Sequence, residues 1–409
     1  MSRVCVIWPR FGPYHLARLG GAHAHPGVEV VGLEVASRDA TYEWNQETGT
    51  TPWAWEVALP GRVYDEVPPQ EIEAAVTDAL DRIAPEAVAA MTYSTPESWA
   101  ALRWARRNRR VAVMMSETRA VDAPRVGWRE AVKGQIARGY DAAFVGGRPH
   151  RAYARTLGFA DSAIATPYDV VDNHFFAAGA DRARAHPEVT GHLPGLDDDT
   201  PFFLASNRFI PRKNLDGLLA AYERYRQRTE GTPWRLLMLG DGDLRADLER
   251  QAGDGVVFCG FQQRDALPAY YGLASAFVHP AHMDQWGLVV NEAMAAGLPA
   301  LVSTGTGCAP DLVREGETGW TFAPTDLDAL AERLRQTAAL SEAGRLAMGQ
   351  AARKHIAAYS PEAWGAGLAA AVAAGQPRAD RGLPLGARLA LALLSRASRR
   401  VGAFHSIPD

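Results

Sequence analysis

Short apolar runs alternate with helical patterns along most of this chain, and that alternation constrains the fold more than any other feature of the sequence. An apolar run of about four to eight residues, bounded by turn residues, is typical of a strand buried in a sheet. Strands that alternate with helices favour parallel sheets with helices on both faces. In the first half of the chain the predicted strands are residues 4–8, 28–35, 87–91, 111–115, 142–146 and 163–166. In the second half they are residues 202–206, 235–239, 256–259, 276–279 and 300–303.

Helical patterns fall between most of these strands. In the first half they cover residues 70–83, 96–108 and 150–157. In the second half they cover residues 215–228, 244–251 and 265–272, and three closing helices follow at 327–340, 342–358 and 361–374. Residues 44–55 are polar and aromatic without a clear period, which predicts a long loop.

The pattern weakens after residue 178 into Gly, Asp, His and Pro, which indicates a linker at residues 179–200. We therefore predict a first domain at residues 1–178, a second at 201–360, and C-terminal helices at 361–409 that cross back to the first. A chain of 409 residues is long enough for two domains, each with its own core.

Composition excludes several classes of protein. A net charge of −4 gives no reason to expect nucleic acid as a partner. The sequence contains no run of about 18 apolar residues, so it predicts no transmembrane helix. The N-terminal residues lack the pattern of a signal peptide. Cys5, Cys259 and Cys308 are odd in number and far apart, so they predict neither a disulfide framework nor a metal site. We expect a cytoplasmic protein.

The segment from His279 to Pro299 carries the most chemistry. It begins at the end of a predicted strand, places one carboxylate at Asp284 and a turn at Gly287, and continues as a helix. A second carboxylate, Glu292, lies about one turn into that helix, so we expect both acids to face the same cleft. The start of a helix offers unpaired N–H groups and the positive end of the dipole to an anion. A phosphate seat between two carboxylates suits a nucleotide sugar.

Four further loops follow predicted strands. Residues 207–214 include Arg208 and Lys213, which could hold an anion. Residues 240–243 form a tight turn with Gly240 and Gly242, and Phe261 follows the next strand. Residues 304–313 are small and lead into a short helix. Each loop alone also fits a solvated or structural turn. Together they favour one ligand site, because the carboxyl ends of parallel strands share one edge of the sheet.

This set of loops resembles the donor domain of the family 4 glycosyltransferases over about residues 202–375. The family's signature is carried here by the run Asp284-Gln285-Trp286-Gly287-Leu288-Val289-Val290-Asn291-Glu292-Ala293-Met294-Ala295-Ala296-Gly297-Leu298-Pro299. One position departs from the family, since the first acid is usually Glu. The resemblance implies the GT-B fold, an α/β architecture of two Rossmann-like, doubly wound parallel-sheet domains that face a central cleft.

The resemblance also implies roles for the loop residues. Arg208 and Lys213 would hold the diphosphate. Asp284 would contact the hydroxyls of the donor sugar, and Glu292 would lie at the ribose. The remaining donor-side positions would be Gly240, Gly242, Phe261, Gly287, Leu288 and Val289. The family is retaining and independent of metal, so no metal and no cofactor are expected. Asp197, Asp198 and Asp199 are interpreted as solvated linker residues.

The first domain resembles the family less, and its acceptor-side residues are open to other interpretations. Gly12 is the single glycine of the loop after the first strand, where the family often has a pair. His15 is a candidate acceptor-binding residue or a helix-capping histidine. Glu117, after the strand at 111–115, is a candidate acceptor-binding acid or a helix-capping or surface residue.

Residues 383–401 predict a basic amphipathic helix. Such a helix binds an anionic membrane surface, or it packs on the protein's own first domain. The first alternative would place the protein at the inner face of the membrane.

The sequence therefore predicts a retaining glycosyltransferase that takes a hexose from a nucleotide sugar, with UDP favoured over GDP. The acceptor is a polysaccharide, a lipid-linked intermediate or a small molecule. The alternatives are a catalytically silent subunit that binds nucleotide sugars, or another GT-B enzyme such as a sugar-nucleotide epimerase.

Overall fold

The computed structural model describes residues 1–38, 51–187, 200–375 and 382–397. The chain divides into two compact units. The first is formed by Met1–Val170 together with the segment that begins at Pro361, and the second by Val171–Ser360. Each unit is a parallel sheet with helices packed against it, so the predicted α/β class is confirmed.

The sheet of the first unit has the strand order β3-β2-β1-β4-β5-β6-β7, and every pairing is parallel. Its strands are β1 (Ser2–Trp8), β2 (Val28–Arg38), β3 (Ala54–Val63), β4 (Ala87–Met91), β5 (Val111–Ser116), β6 (Ala142–Val145) and β7 (Ile164–Ala165). Its helices from the first part of the chain are α1 (Pro13–Ala24), α2 (Pro69–Ile83), α3 (Pro96–Asn108), α4 (Gly127–Ala137) and α5 (Arg148–Thr156).

Strand β3 begins inside the segment that the sequence predicted to be a loop. Residues 54 and 55 are its first two positions, while residues 39–50 lie outside the described ranges. The strand is at the edge of the sheet and is only half-buried, so its side chains lack the continuous apolar run of a central strand. It also contains Pro60 and Gly61, which an edge strand tolerates because one side of its backbone has no partner.

The second sheet has the order β10-β9-β8-β11-β12-β13, again with parallel pairings. Its strands are β8 (Phe202–Ser206), β9 (Arg235–Leu239), β10 (Val256–Gly260), β11 (Ala276–His279), β12 (Ala300–Ser303) and β13 (Gly319–Phe322). The helices of this unit are α6 (Asn173–Ala185), α7 (Leu215–Arg228), α8 (Arg245–Gln251), α9 (Leu267–Leu273), α10 (Leu288–Ala295), α11 (Ala309–Leu312), α12 (Leu327–Ala338) and α13 (Glu342–Ile356). Strand β13 was not predicted, because this edge strand begins with Gly319, includes Thr321 and is only partly buried, so it gives no continuous apolar run.

The predicted linker at 179–200 needs a correction at its start. Residues 179–185 are the second half of α6, which starts where Asp172 accepts a hydrogen bond from the Phe175 amide at 2.9 Å. The buried ring of Phe176 holds this helix in the second unit. Residues 188–199, including the three aspartates, lie outside the described ranges.

Two C-terminal helices, α14 (Pro361–Ala374) and α15 (Leu385–Ala397), belong to the first unit. Helix α14 crosses α1 at very close range. A Cβ on Gly365 would lie 2.4 Å from the carbonyl oxygen of Gly21, and a Cβ on Gly21 would lie 1.8 Å from that of Pro361. The chain thus returns to the first sheet through a glycine contact. None of the helices in the described ranges is long and apolar enough to span a bilayer.

Both sheets place their first strand in the interior. Strand β1 lies between β2 and β4, and β8 lies between β9 and β11. The loops after β8 and β11 therefore leave the sheet in opposite directions and open a crevice at its carboxyl edge, which is where open α/β sheets bind ligands. Most of the predicted donor residues lie on the loops of this second edge.

Candidate donor site

The loops after β8 and β11 meet at an ion pair. The Nζ of Lys213 lies 2.5 Å from the Oδ2 of Asp284, and both side chains are largely buried. Asn214 holds the first loop in place, since its side-chain amide donates to the carbonyl oxygens of Pro280 at 3.0 Å and Pro324 at 2.8 Å. The structure thus brings together two residues that lie 71 positions apart.

His279, the last residue of β11, is a second partner of Asp284 that the sequence analysis did not assign to the site. Its Nε2 lies 2.9 Å from the same Oδ2. Burial lowers the pKa of His279 more than the neighbouring Asp284 raises it, so the ring is neutral and its Nε2–H donates. A histidine at the end of an otherwise apolar strand was the signal in the sequence.

The charge of Asp284 is set by these two partners. Burial alone would raise the pKa of its carboxyl, but the charge of Lys213 and the hydrogen bonds from His279 and Lys213 outweigh burial and hold the pKa well below its usual value. The carboxylate is therefore ionised at neutral pH. One ammonium already compensates its charge, so an incoming phosphate would compete for Lys213.

Gly287 caps the start of α10 directly beside this carboxylate. Its φ of +95° favours glycine, and a Cβ there would lie 2.8 Å from the Cγ2 of Thr306 and 3.5 Å from the Oδ2 of Asp284. The first N–H groups of α10, including those of Leu288 and Val289, have no acceptors within the helix. The helix start and the Lys213–Asp284 pair therefore form one small polar region.

Glu292, the second acid of the motif, has a different environment from the predicted one. Its side chain is fully buried, and its Oε2 accepts a hydrogen bond of 2.7 Å from the hydroxyl of Tyr271 in α9. Tyr271 in turn packs edge-on against Phe176. Asp284 is partly accessible, whereas Glu292 lies on the side of α10 that faces the interior. The Asp284–Lys213 pair, rather than the pair of acids, is therefore the accessible part of the motif.

Arg208 lies on the same loop as Lys213 but is exposed, and its guanidinium has no partner within the described part of the chain. It is not in contact with the Lys213–Asp284 pair. Phe261 is also exposed after β10.

Gly240 and Gly242 serve a close backbone contact. Both have positive φ, and their Cβ atoms would meet the carbonyl oxygens of Asn207 at 1.8 Å and of Phe209 at 2.7 Å. The glycines thus let the loop after β9 pack on the loop after β8. A contact between these two glycines and a ligand stays a prediction.

Several buried polar atoms at this edge have no hydrogen-bond partner. They are both amide atoms of Asn207, the Nε of Arg212, the Nδ1 of His279 and the Oγ1 of Thr306. Native proteins pair almost all such atoms, so this concentration of unused capacity indicates a place where a polar ligand binds. None of these four residues was assigned to the site from the sequence.

In the first unit, Gly12 and His15 form the N-terminal cap of α1. The Gly12 amide donates to the Nδ1 of His15 at 3.0 Å, and the His15 ring packs on Trp8. Burial, with a smaller contribution from the charge of Arg18, lowers the pKa of His15 to about 3. The Nδ1 of His15 therefore has the helix-capping role. Because the ring is neutral, its Nε2–H can still donate to another group.

Glu117 lies in the irregular segment between β5 and α4, ten positions before α4 begins, so it does not cap that helix. Its charge contributes to a raised pKa of the Tyr168 hydroxyl, for which burial is the main cause. Tyr168 accepts a hydrogen bond from the Trp8 indole at 2.9 Å and lies under the guanidinium of Arg18. This buried cluster links the end of β1 and helix α1 to the segment after β7.

A buried carboxylate inside a predicted strand is a further feature that was not predicted to have a role. Glu34 in β2 is buried and accepts a hydrogen bond from the Phe11 amide at 2.9 Å. Burial raises the pKa of its carboxyl. Glu34 therefore positions the backbone of the same loop that carries Gly12.

No group of three or more His, Cys, Asp or Glu side chains within the described ranges has the arrangement of a metal site. Besides Arg208 and Lys213, the loop after β8 carries Arg212, whose buried Nε has no hydrogen-bond partner.

Comparison with known proteins shows what the second unit is similar to. Residues 194–355 match the family model described as "Glycosyl transferases group 1". Sulfoquinovosyl transferase SQD2 of Arabidopsis thaliana is 37% identical over 176 residues, which are 42% of this chain and 33% of that protein. A GDP-mannose-dependent alpha-(1-6)-phosphatidylinositol monomannoside mannosyltransferase of Mycolicibacterium smegmatis is 32% identical over 195 residues, which are 43% of this chain and 49% of the relative. The chain thus spans a third to a half of the length of these curated relatives.

Solved structures are similar over a greater length and show the fold. Sucrose-phosphate synthase from Thermosynechococcus elongatus has a TM-score of 0.66 at 21% identity, covering 90% of this chain and 97% of that one. Anabaena HepE, solved in complex with UDP and glucose, has a TM-score of 0.66 at 14% identity, covering 90% and 98%. The chain has the GT-B fold, and its residues 194–355 match the model of the glycosyl transferases group 1 family.

Proposed function

We propose that this chain is a retaining, metal-independent glycosyltransferase that moves a hexose from a nucleotide sugar to a hydroxyl of an acceptor. The observation that carries the proposal is the Lys213–Asp284 pair at the crevice between β8 and β11, beside the start of α10. This arrangement offers a cation and helix N–H groups to a diphosphate, and a carboxylate to sugar hydroxyls next to it.

Charge develops on the leaving diphosphate oxygen as the bond to the anomeric carbon breaks. Lys213, the N–H groups at the start of α10, and Arg208 brought in from its exposed position would stabilise that charge. Asp284 would orient the sugar through its hydroxyls, with His279 fixing the carboxylate. In this scheme the departing phosphate takes the acceptor's proton on the same face of the sugar, so we assign no protein nucleophile.

The nucleotide proposed is uridine, with guanosine as the alternative. Supporting UDP, HepE and an Escherichia coli trehalose-6-phosphate protein were solved with UDP or a UDP-sugar. Supporting GDP, the mycobacterial relatives are named for GDP-mannose and match over a similar part of this chain. The acceptor class stays open among polysaccharide, lipid-linked and small-molecule hydroxyls. We place the protein in the cytoplasm, with Gly12, His15 and Glu117 on the acceptor side.

The test is release of nucleotide from UDP-glucose, UDP-galactose, UDP-N-acetylglucosamine and GDP-mannose, with and without a chelator. One of these donors is expected to be turned over equally well in both conditions. Replacing either Lys213 or Arg208 by Ala should lower that rate by ~10²–10³, the usual effect of removing one preorganised donor. Lys354→Ala and Arg250→Ala, on other surfaces of the same unit, are the matched controls.

Retention is tested separately, by the anomeric configuration of the product in NMR. Tight binding of a donor without turnover would contradict the enzyme and favour the silent binding subunit. Conversion of the donor sugar into its epimer would favour the epimerase. Full activity of Lys213→Ala would refute the site.

A further inference from the structure

Helix α15 packs on the first unit through one side of its first two turns. Ala387, Ala390 and Leu391 are buried, and a Cβ on Gly386 would meet the side chain of Gln135 in α4 at 2.2 Å. By contrast, Leu385 and Leu389 are 70% and 58% exposed. An amphipathic helix of a globular protein normally buries its leucines, so these two are placed to contact something outside the unit.

The neighbouring helix shows the same feature. Trp128, in the first turn of α4, is 67% exposed, and Val121 and Val126 are exposed in the segment that precedes it. Gly386 contacts Gln135 and Leu383 contacts Gly139, so α4 and α15 run side by side in opposite directions. We call these two helices with residues 121–126 the α4–α15 face.

This concentration is unusual for the chain. Five of the large apolar side chains that are exposed within the described ranges lie on the α4–α15 face, while the others are Met1, Phe261 and Leu346, each in a different place. Scattered exposed apolar residues need no explanation, whereas a cluster marks an interaction surface.

The charge of the face identifies the partner. Residues 121–139 and 382–392 carry two carboxylates, Glu130 and the buried Asp122, against five cations, in a chain whose net charge is −4. The cations are Arg125, Arg129, Lys133, Arg138 and Arg388. The guanidinium of Arg129 lies over the Trp128 ring. An anionic bilayer binds surfaces that combine tryptophan, leucine and basic side chains. The apolar side chains enter the boundary between headgroups and acyl chains, and the cations contact the headgroups.

We propose that the α4–α15 face docks the first unit on an anionic membrane. The sequence alone indicated a membrane contact as one alternative for residues 383–401. The structure extends this surface to α4, where Trp128 would be an anchor. If the chain is the glycosyltransferase proposed above, this surface favours a lipid-linked acceptor over a soluble one, and that last step rests on the proposed function.

The experiment is co-sedimentation of the full chain with vesicles of phosphatidylcholine alone or mixed with phosphatidylglycerol. We expect binding to the mixed vesicles that weakens as salt is raised. Trp128→Ser, and Leu385→Gln combined with Leu389→Gln, should each weaken the partition by about tenfold or more, since each removes apolar surface that the bilayer would bury. Arg388→Ala should weaken it about fivefold on anionic vesicles only.

Matched controls come from the second unit. Leu346→Gln removes an exposed leucine and Arg250→Ala an exposed arginine, and both should bind vesicles as wild type does. All the replaced side chains are exposed, so unchanged thermal unfolding should confirm that the variants fold. Sedimentation is independent of donor turnover, which keeps failure of this proposal distinct from failure of the proposed function.

Three results would overturn the proposal. The first is a wild-type chain that stays in solution with both kinds of vesicle. The second is a Trp128 or leucine variant that sediments as well as the controls. The third is a set of variants that sediment with vesicles as the wild type does but elute with a different mass in size-exclusion chromatography. That result would assign the face to contact with a second copy of the chain.

Discussion

His279 offers a sharp test of how the site works, because its Nε2–H contacts Asp284 and its side chain is fully buried. Replacing His279 by Leu removes the Nε2–H that lies 2.9 Å from the Oδ2 of Asp284 and leaves Lys213 as its partner. We expect the carboxylate to lose its fixed orientation, while the cation that would bind the diphosphate stays in place.

The size of the effect follows from the kind of bond that is lost. A hydrogen bond to a charged group contributes about 1.5–3 kcal/mol. If Asp284 must be oriented for transfer, donor turnover should fall by about 10- to 150-fold. His279→Gln, whose side-chain amide restores a donor near the same position, should recover much of the loss.

The assay compares donor turnover with the affinity for the nucleoside diphosphate, measured by calorimetry. The diphosphate lacks the sugar that Asp284 would contact, so its affinity should be retained in both variants while turnover differs between them. The reasoning is refuted if His279→Leu turns over donor at the wild-type rate. It is also refuted if both variants lose diphosphate affinity and turnover to the same degree, since that result describes a purely structural residue.

Two further predictions concern stability. Gly287→Ala should destabilise the second unit by about 2–4 kcal/mol, because it combines a strained positive φ with overlap on the Thr306 methyl group. Thr306→Ser deletes that methyl group, so the double variant should regain the stability lost to overlap but not the stability lost to backbone strain. If denaturant unfolding shows that the double variant regains all of the lost stability or none of it, the geometry is contradicted. His15 should make the fold sensitive to acid. Its pKa is about 3 in the folded chain against an ordinary 6.5, so the unfolded state binds the proton first and stability falls as pH drops from about 6.5 towards 3. The melting temperature of His15→Gln should fall less over that window, and parallel curves would show that His15 is not responsible.

The sequence predicted the central strands and most helices well, because buried strands of a parallel sheet are continuous apolar runs. Edge strands are different. β3 is half-buried and contains proline and glycine, and β13 begins with Gly319 and includes Thr321, so neither produces such a run. Helix α6 was not predicted, because its alanines and arginines merge into the polar composition of the segment that follows.

The motif fixed the position of the site but not the partners within it. Its spacing brought Asp284 to the start of α10, yet the pairing with Lys213 depends on strand order, which brings β8 next to β11. The burial of Glu292 depends on Tyr271, a residue of another helix that sequence spacing does not connect to the motif. The glycines at 240 and 242 were interpreted through a ligand, whereas the nearest neighbour is the backbone of another loop.

The account depends most on a diphosphate that binds at Lys213. Calorimetric titration of UDP and of GDP into the wild-type chain, Lys213→Ala and Lys354→Ala tests this directly. We expect one nucleotide to bind the wild type and Lys354→Ala alike, and Lys213→Ala to bind it about 10- to 150-fold more weakly, the value of one charge-assisted hydrogen bond. Equal affinity in all three proteins, or binding of neither nucleotide to the wild type, would contradict it.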